Sequence, residues 1–543
     1  MLGLSNQELL EEKAALAGLE FVQRVATPKK SVVDRYHFTP QESEIREGDK
    51  LRDGEGRPFG EVEGIDVAAC YIDIRKGPKI AGEHRSSVFK YTNVPDDAKR
   101  DSLMRLGTWV AENGVDGPGP FRAGRDLLLH LTPRPGAAVA AGEDTLAAAR
   151  GWVAALDHSV LPIQGPPGAG KTYTGARMIT SLVRAGKKVG ITALSHKVIR
   201  NLLEEVVKAA EQERTTLRCV EKVNDVSDEA HASIVEIKDN PVILDEIQSG
   251  AAQVAAGTAW LWAREEFFES VDVLFVDEAG QLTLADVLAV SPAARSLVLL
   301  GDPQQLGQPL QGSHPEGTDV SALEHLLDGH KTILPEQGLF LDHTWRLHPE
   351  ICAFTSELFY EGRLSSRPNL DRQILDGPTP FAGAGLWFVP VPHEGNQSSS
   401  PEEVERVVEL VAGLIAGGVH WTDRANDRRP LGVSDILIIA PYNAQVAALK
   451  ARLPEVRIGT VDKFQGQEAP VVICSLTTSS LEEAPRGMEF LYSPNRLNVA
   501  VSRAQTACIL VGSPALFEPE CRSPAQMRLA NGFCRYLEMA ETI

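Results

Sequence analysis

Gly165-Pro166-Pro167-Gly168-Ala169-Gly170-Lys171-Thr172 has the spacing G-x-x-x-x-G-K-[ST]. Glycines at 165, 168 and 170 let backbone N–H groups turn inward and approach a polyphosphate closely. Lys171 adds a full positive charge for terminal phosphates, and the Thr172 hydroxyl is a suitable Mg²⁺ ligand. The apolar run 160–163 predicts a buried strand before the loop. Behind it Ala176, Ile179, Leu182 and Val183 recur at helical spacing until Gly186. Strand, glycine loop and helix is the setting that a phosphate cradle requires, and the helix N-terminus adds partial positive charge. The stretch 165–173, Tyr173 included, is therefore expected to hold a nucleoside triphosphate.

Further chemistry lies downstream. The apolar segment 271–276 ends in Asp277 and Glu278. Beside a glycine loop, Asp277 would hold Mg²⁺, and Glu278 would orient and deprotonate the water attacking the γ-phosphate. A second buried strand, 296–300, leads into Gly301-Asp302-Pro-Gln-Gln305, where Gln305 could contact a γ-phosphate. Polar groups at the carboxyl ends of strands are where ligands sit in open α/β sheets. Arg346, in Trp345-Arg346-Leu-His348-Pro349, and Arg503, just before a strand, are candidate arginine fingers.

These segments occur in the order of a known set. Gly165–Thr172, Asp277–Gln281, Gly301–Leu306, Trp345–Pro349, Val461-Asp462-Lys-Phe-Gln-Gly-Gln-Glu468 and Asn498–Ala504 resemble motifs I to VI of superfamily 1 helicases. The wording of the last three resembles the branch of the nonsense-mediated-decay RNA helicase, the switch-region helicase and the replication nuclease-helicase. The resemblance implies two tandem RecA-like P-loop NTPase domains, ATP hydrolysis with Mg²⁺, and translocation 5′ to 3′ along a single strand. It also implies that Arg346 and Arg503 contact the γ-phosphate, that Glu468 touches the sugar, and that Trp345 stacks on the base. Ser195 and His196, Thr258, Pro441-Tyr442-Asn443 and Asp462 would line the strand-binding face. One departure concerns the base: relatives often read adenine with a glutamine before the glycine loop, and here Ala148 stands at that position.

The elements that must position these residues follow from periodicity. Ser5-x-x-Glu8 has capping-box form, and Leu9, Leu10, Leu16 and Leu19 suggest a helix over 5–24, so 1–30 reads as a stalk helix. Alternating runs and an Asp53-Gly54 hairpin signal make 31–95 a small antiparallel β-barrel or sandwich, in the place of the family's accessory domain. A helix over 96–113 and Gly-Pro sequence fill 96–135 as a second stalk segment and linker. Strands alternating with helices over 136–335 and 336–543 give the two α/β domains, the second carrying the arginine finger. Strands are expected at 160–164, 188–193, 271–276, 296–300, 435–440, 457–461, 471–475 and 506–511. The polar stretch 208–250 reads as an insertion, and 383–400 contains loop-like sequence.

Over 543 residues the composition is that of a globular protein, 43% hydrophobic and 24% charged. No run of 18 apolar residues predicts a membrane span, and seven scattered cysteines without a C-x-x-C pair argue against a disulfide framework or zinc site. A cytoplasmic, monomeric protein is the expectation. The net charge of −20 argues against a surface coated in basic groups but not against a local basic groove. The function expected is an ATP-driven helicase or translocase on single strands, DNA favoured, in replication, repair or recombination. An RNA motor of the same branch, or a nucleotide-switched clamp that does not unwind, stands as the alternative. No nuclease block is found, so any nuclease domain or subunit would lie outside this chain.

Overall fold

The computed structural model describes every residue except 1–3, 5–8, 11, 29, 42, 68, 92–94, 135–143, 228–232, 308–314 and 316. The Ser5–Glu8 capping box lies outside the described residues. The chain divides into two compact units. One comprises Met1–Val94, His348–Phe354 and Asn369–Ile543, the other Pro95–Leu347 and Thr355–Pro368.

Within the first unit, seven antiparallel strands form a sheet: β1 (Ala15–Ala17), β2 (Glu20–Ala26), β3 (Val32–His37), β4 (Lys50–Asp53), β5 (Pro58–Asp66), β6 (Tyr71–Lys76) and β7 (Ser87–Lys90). Their order is β1-β7-β4-β5-β6-β3-β2. Tyr36, Phe38, Leu51, Phe59, Ile72 and Ile74 fill its core. The hairpin signal holds, since Asp53 takes the N–H groups of Glu55 and Arg57 on its carboxylate at 3.1 and 2.9 Å. β1 and β2 stand at the ends of the order, and no ladder among the described residues joins them into a barrel. The stalk helix over 5–24 is corrected, because 15–17 and 20–26 are strands. The leucine spacing matched a helix, but Phe21, Val22 and Val25 favour an extended backbone. Gly18 at φ +67 separates the two strands where a Cβ would meet Thr39 Oγ1 at 2.0 Å.

The second unit is built on eight parallel strands, β8 (Val160–Gln164), β9 (Val189–Thr192), β10 (Cys219–Lys222), β11 (Ile234–Ile237), β12 (Val254–Ala256), β13 (Val271–Val276), β14 (Ala294–Gly301) and β15 (Leu339–Phe340). Their order is β11-β10-β12-β9-β13-β14-β8-β15. Burial on both faces explains the apolar runs 160–163, 273–276 and 297–300 within β8, β13 and β14. Two expectations change here. The stretch 208–250 is not an insertion: β10 and β11 extend the sheet in parallel register. β11 is the edge strand, and of its four residues only Ile234 is buried. Likewise the first α/β domain does not end at 335, because β15 pairs with β8 through Leu339 and Ile163. The helix Asp97–Asn113 belongs to this unit, with Ser102 Oγ donating to Ala289 O at 2.6 Å and Lys99 paired with Asp286 at 2.9 Å.

The first unit also carries a second, wholly parallel sheet. Its strands are β16 (Gly385–Pro390), β17 (Ile436–Ile439), β18 (Arg457–Gly459), β19 (Ala469–Ser475), β20 (Ala504–Gly512) and β21 (Glu541–Thr542), in the order β18-β17-β19-β20-β16-β21. β16 lies inside the stretch read as loop-like; residues 385–389 are buried, and the strand pairs with β20 over its whole length. Val404, Val407, Val411 and Leu414 of the helix Pro401–Ile415 cover this sheet. No helix among the described residues is long and apolar enough to cross a membrane.

Candidate functional site

The glycine loop leaves β8 and enters the helix Lys171–Arg184 through Gly170, whose φ of +85 suits glycine. A Cβ on Gly165 would fall 2.2 Å from Lys171 Cγ, so only glycine lets the lysine lie along the loop. Lys171 Nζ donates to Gly165 O at 2.8 Å, which keeps the cation at the mouth of the cradle. β14 separates β8 from β13, so Gly301 and Asp302 stand between the loop and Asp277-Glu278. Gly165 N donates to Gly301 O at 2.9 Å, which ties the loop to that central strand.

Asp277 is buried at 4% exposure, while Glu278 is half-buried. Burial, and then the neighbouring Glu278, push the Asp277 carboxyl above its usual range; the Glu278 N–H and the charge of Lys171 pull it back. Glu278 sits at φ +53, a left-handed backbone that a glutamate rarely adopts. A hydroxyl and a buried carboxyl are hard oxygen donors of the kind Mg²⁺ takes, and a cation would favour the ionised Asp277. The donor types of Thr172 and Asp277 thus fit the expected metal, which these two residues would hold.

Asp302 organises the middle of the site. Its carboxylate accepts from Gln305 Nε2 and Tyr360 OH, each at 2.7 Å, and from Gln304 N at 3.2 Å. Burial raises its pKa, against the opposing influence of Lys171 and these donors. Gln305 is thereby held in place and is itself buried. In the sequence Asp302 is one polar residue of the segment Gly301–Gln305, with nothing local to mark it as a hub. Its partner Tyr360 is 58 residues away, and no local signal joins the two.

The segment after β15 closes over the loop. Trp345 N donates to Gly168 O at 2.9 Å, and Thr344 Oγ1 to Pro167 O at 3.0 Å. Arg346 therefore belongs to the same unit as the glycine loop, which corrects its placement in the second domain. At Gly168, φ is +71, and a Cβ would lie 2.6 Å from Arg346 Cβ and 2.7 Å from Thr344 Oγ1. Gly168→Ala is accordingly expected to lower stability by about 1–2 kcal/mol from the left-handed backbone alone. Thermal unfolding and nucleotide titration of the variant check this, and an unchanged melting temperature would contradict it.

Beside the loop lies a cavity of about 270 Å³, lined in part by Asp144, Ala169, Tyr173, Trp345 and Arg367. Trp345 is 53% exposed, and Arg367 Cζ lies 4.7 Å from its centroid. Arg177 Cζ lies 3.2 Å from the Tyr173 centroid. Ala148, at the position of the missing glutamine, is buried and does not line this cavity.

Ser195 and His196 follow β9, and Thr258 follows its neighbour β12, so the three share one edge of the sheet. Ser195 caps the helix His196–Gln212 by accepting Val198 N–H at 3.4 Å. Burial, then Lys222 and Arg200, lower the His196 pKa. In the first unit, Pro441 and Asp462 follow the adjacent strands β17 and β18. Two residues proposed for that face are corrected. Tyr442 is 0% exposed with its ring 5.6 Å from Phe490, and Asn443 is buried with its amide on Leu10 O at 3.1 Å. Neither has a free side chain for a nucleic acid in this conformation. Glu468 and Arg503 lie at the opposite end of the same sheet, where β19 and β20 begin. Glu468 accepts from Gln505 Nε2 at 2.8 Å. The buried Arg503 guanidinium donates to Val499 O and Gln467 O, both at 3.1 Å.

Two AAA-domain family models match this chain, one over residues 147–317 and one over 318–515. Relatives run through both. The regulator of nonsense transcripts 1 homolog of Drosophila melanogaster is 28% identical, over 66% of this chain and 33% of its own length. The DNA replication ATP-dependent helicase/nuclease dna2 of Schizosaccharomyces pombe is 27% identical, over 72% of this chain and 29% of its own. Together these matches point to a superfamily 1 helicase. The branch they point to also holds DNA-binding protein SMUBP-2 of Rattus norvegicus, 26% identical over 65% of this chain and 41% of that protein. The chain thus spans between about a quarter and two fifths of the length of the relatives it matches. The two α/β domains expected of the family are the sheets β8–β15 and β16–β21.

Proposed function

We propose that this chain is an ATP-driven motor on single-stranded nucleic acid, moving 5′ to 3′, with DNA as the favoured strand. The observation that carries the reading is the common edge of β8, β14 and β13. There the glycine loop with Lys171, the Asp302–Gln305 pair and Asp277-Glu278 converge at the carboxyl ends of three adjacent strands. Lys171 and the loop amides bind the β- and γ-phosphates; Thr172 and Asp277 hold Mg²⁺, which supplies charge neutralisation on the phosphates. Glu278 takes the proton of the attacking water, and Gln305, oriented by Asp302, senses the γ-phosphate. Trp345 stacks on the base from within the same unit. Arg346, Arg503 and Glu468 enter as phosphate and sugar contacts on the strength of the family resemblance. A place in replication, repair or recombination belongs to the same proposal, by analogy with the nuclease-helicase relatives.

The test is ATP hydrolysis measured with and without single-stranded DNA and RNA, for the wild type and Lys171→Ala. Strand-stimulated turnover in the wild type and its loss in Lys171→Ala are expected. Equal rates with and without strands would reject the motor, and unwinding only from 3′-tailed duplexes would reject the polarity.

A further inference from the structure

Between β19 and β20, in a stretch that no motif covers, the short helix Gly487–Leu491 carries Phe490 between two arginines. Arg486 Cζ lies 4.2 Å from the Phe490 centroid, and Arg496 Cζ lies 4.3 Å from it. Met488 and Leu491 are buried and anchor the helix, so Phe490 is held while half-exposed. Behind it packs the buried Tyr442 ring. Phe490 and Arg496 also line a cleft with Pro441, Val461 and Leu476, which follow β17, β18 and β19. The group therefore sits at the carboxyl edge of the sheet, the end away from Arg503 and Glu468.

Charge distinguishes this place. Arg496 is paired with Asp462 at 3.2 Å, whereas Arg486 is exposed and has no carboxylate partner among the described residues. Two guanidiniums against one carboxylate leave a net positive group on a chain of net charge −20. An aromatic ring with stacked guanidiniums offers both interactions that a single strand needs, a plane for a base and a cation for a phosphate. Two like charges drawn to one phenyl ring are otherwise unfavourable, and an anion would relieve them.

We propose that Arg486, Phe490 and Arg496 form a contact for single-stranded nucleic acid, the guanidiniums taking backbone phosphate and the Arg486–Phe490 stack taking a base. The proposal rests on the motor reading and gives its strand a definite place on the first unit.

Anisotropy of fluorescent dT and U oligonucleotides, titrated across a salt series, tests it with the wild type, Arg486→Glu and Arg486→Lys. Arg486→Glu is expected to weaken binding roughly tenfold and to flatten the log–log salt slope by about 0.7, the value for one phosphate contact on a single strand. Arg486→Lys is expected to keep the slope and lose only part of the affinity, because an ammonium retains the charge but not the planar stack. An unchanged affinity and slope in Arg486→Glu, with the wild type binding normally, would overturn this contact alone. Failure of the wild type to bind either oligonucleotide would overturn the motor reading itself. A preserved melting temperature in both variants shows that the fold is not what changed.

Discussion

Glu278→Gln is expected to slow ATP hydrolysis by roughly 10²–10⁴-fold, the range for loss of a general base, while nucleotide affinity stays near that of the wild type. The reason is chemical rather than steric. Gln keeps the length of the side chain and its hydrogen-bonding tip, but cannot accept the proton of the attacking water. The backbone at this residue adds a second argument. At φ +53 the glutamate is held in a conformation that costs an L-residue about 1–2 kcal/mol, and such strain persists where position matters. Gln inherits that strain, so its melting temperature should match the wild type. Gly would relieve it, offset by about 0.5–1 kcal/mol of extra chain entropy, and should therefore melt no lower while losing the same activity. Single-turnover hydrolysis, nucleotide titration and thermal unfolding of both variants separate these effects. Normal turnover in Glu278→Gln would remove Glu278 from the role of base.

The parts of the site that were legible in the sequence are those whose chemistry is local. Gly165–Thr172 sits between a buried strand and a helix within one short stretch, and Asp277-Glu278 follows the buried apolar run 273–276. Local windows carry such signals whole. The misreadings share one cause, that tertiary placement overrode a local pattern. Residues 385–390 form a strand, yet the run is only six residues long, lies between glycine- and proline-rich segments, and has no period to separate it from a buried turn. At 15–26 the leucine spacing imitated a helix because two short strands meet at Gly18. Tyr442 follows a strand as a strand-binding residue would, but Phe490, 48 positions later, covers its ring. The hub at Asp302 depends on Tyr360 in the same way. Arg346 shows the opposite error: a family pattern set it across a domain boundary, whereas Trp345 N–H on Gly168 O keeps it beside the loop.

The largest expected effect on stability lies away from the ATP site, in the seven-stranded sheet. Lys76 and Asp34 are both 0% exposed and paired at 2.8 Å. Lys76 Nζ also donates to Tyr36 OH at 2.8 Å and Glu83 O at 2.6 Å, and Arg24 Nε donates to the other Asp34 oxygen at 2.8 Å. Burial alone would raise the Asp34 pKa, but hydrogen bonds from Arg24 and Lys76 outweigh it and hold the carboxyl below its usual range. Lys76→Met leaves the buried Asp34 with Arg24 alone to balance it, so it should cost the sheet about 3 kcal/mol at neutral pH, the lower end of the range for breaking a buried pair. Replacing both partners by apolar residues, as in Lys76→Met with Asp34→Leu, should recover much of that loss. The sign with pH follows from linkage. A carboxyl whose folded pKa is depressed stabilises the fold above its unfolded value, near 3.9, and loses that contribution as pH falls through the folded pKa. The wild-type sheet should therefore weaken on acidification below about pH 4, whereas Lys76→Met, already deprived of the pair, should change less there. Amide exchange in β3 and β6 reads this locally, independent of how the rest of the chain unfolds. A loss below about 1 kcal/mol at neutral pH would place the pair among the weak surface bridges, contrary to its complete burial.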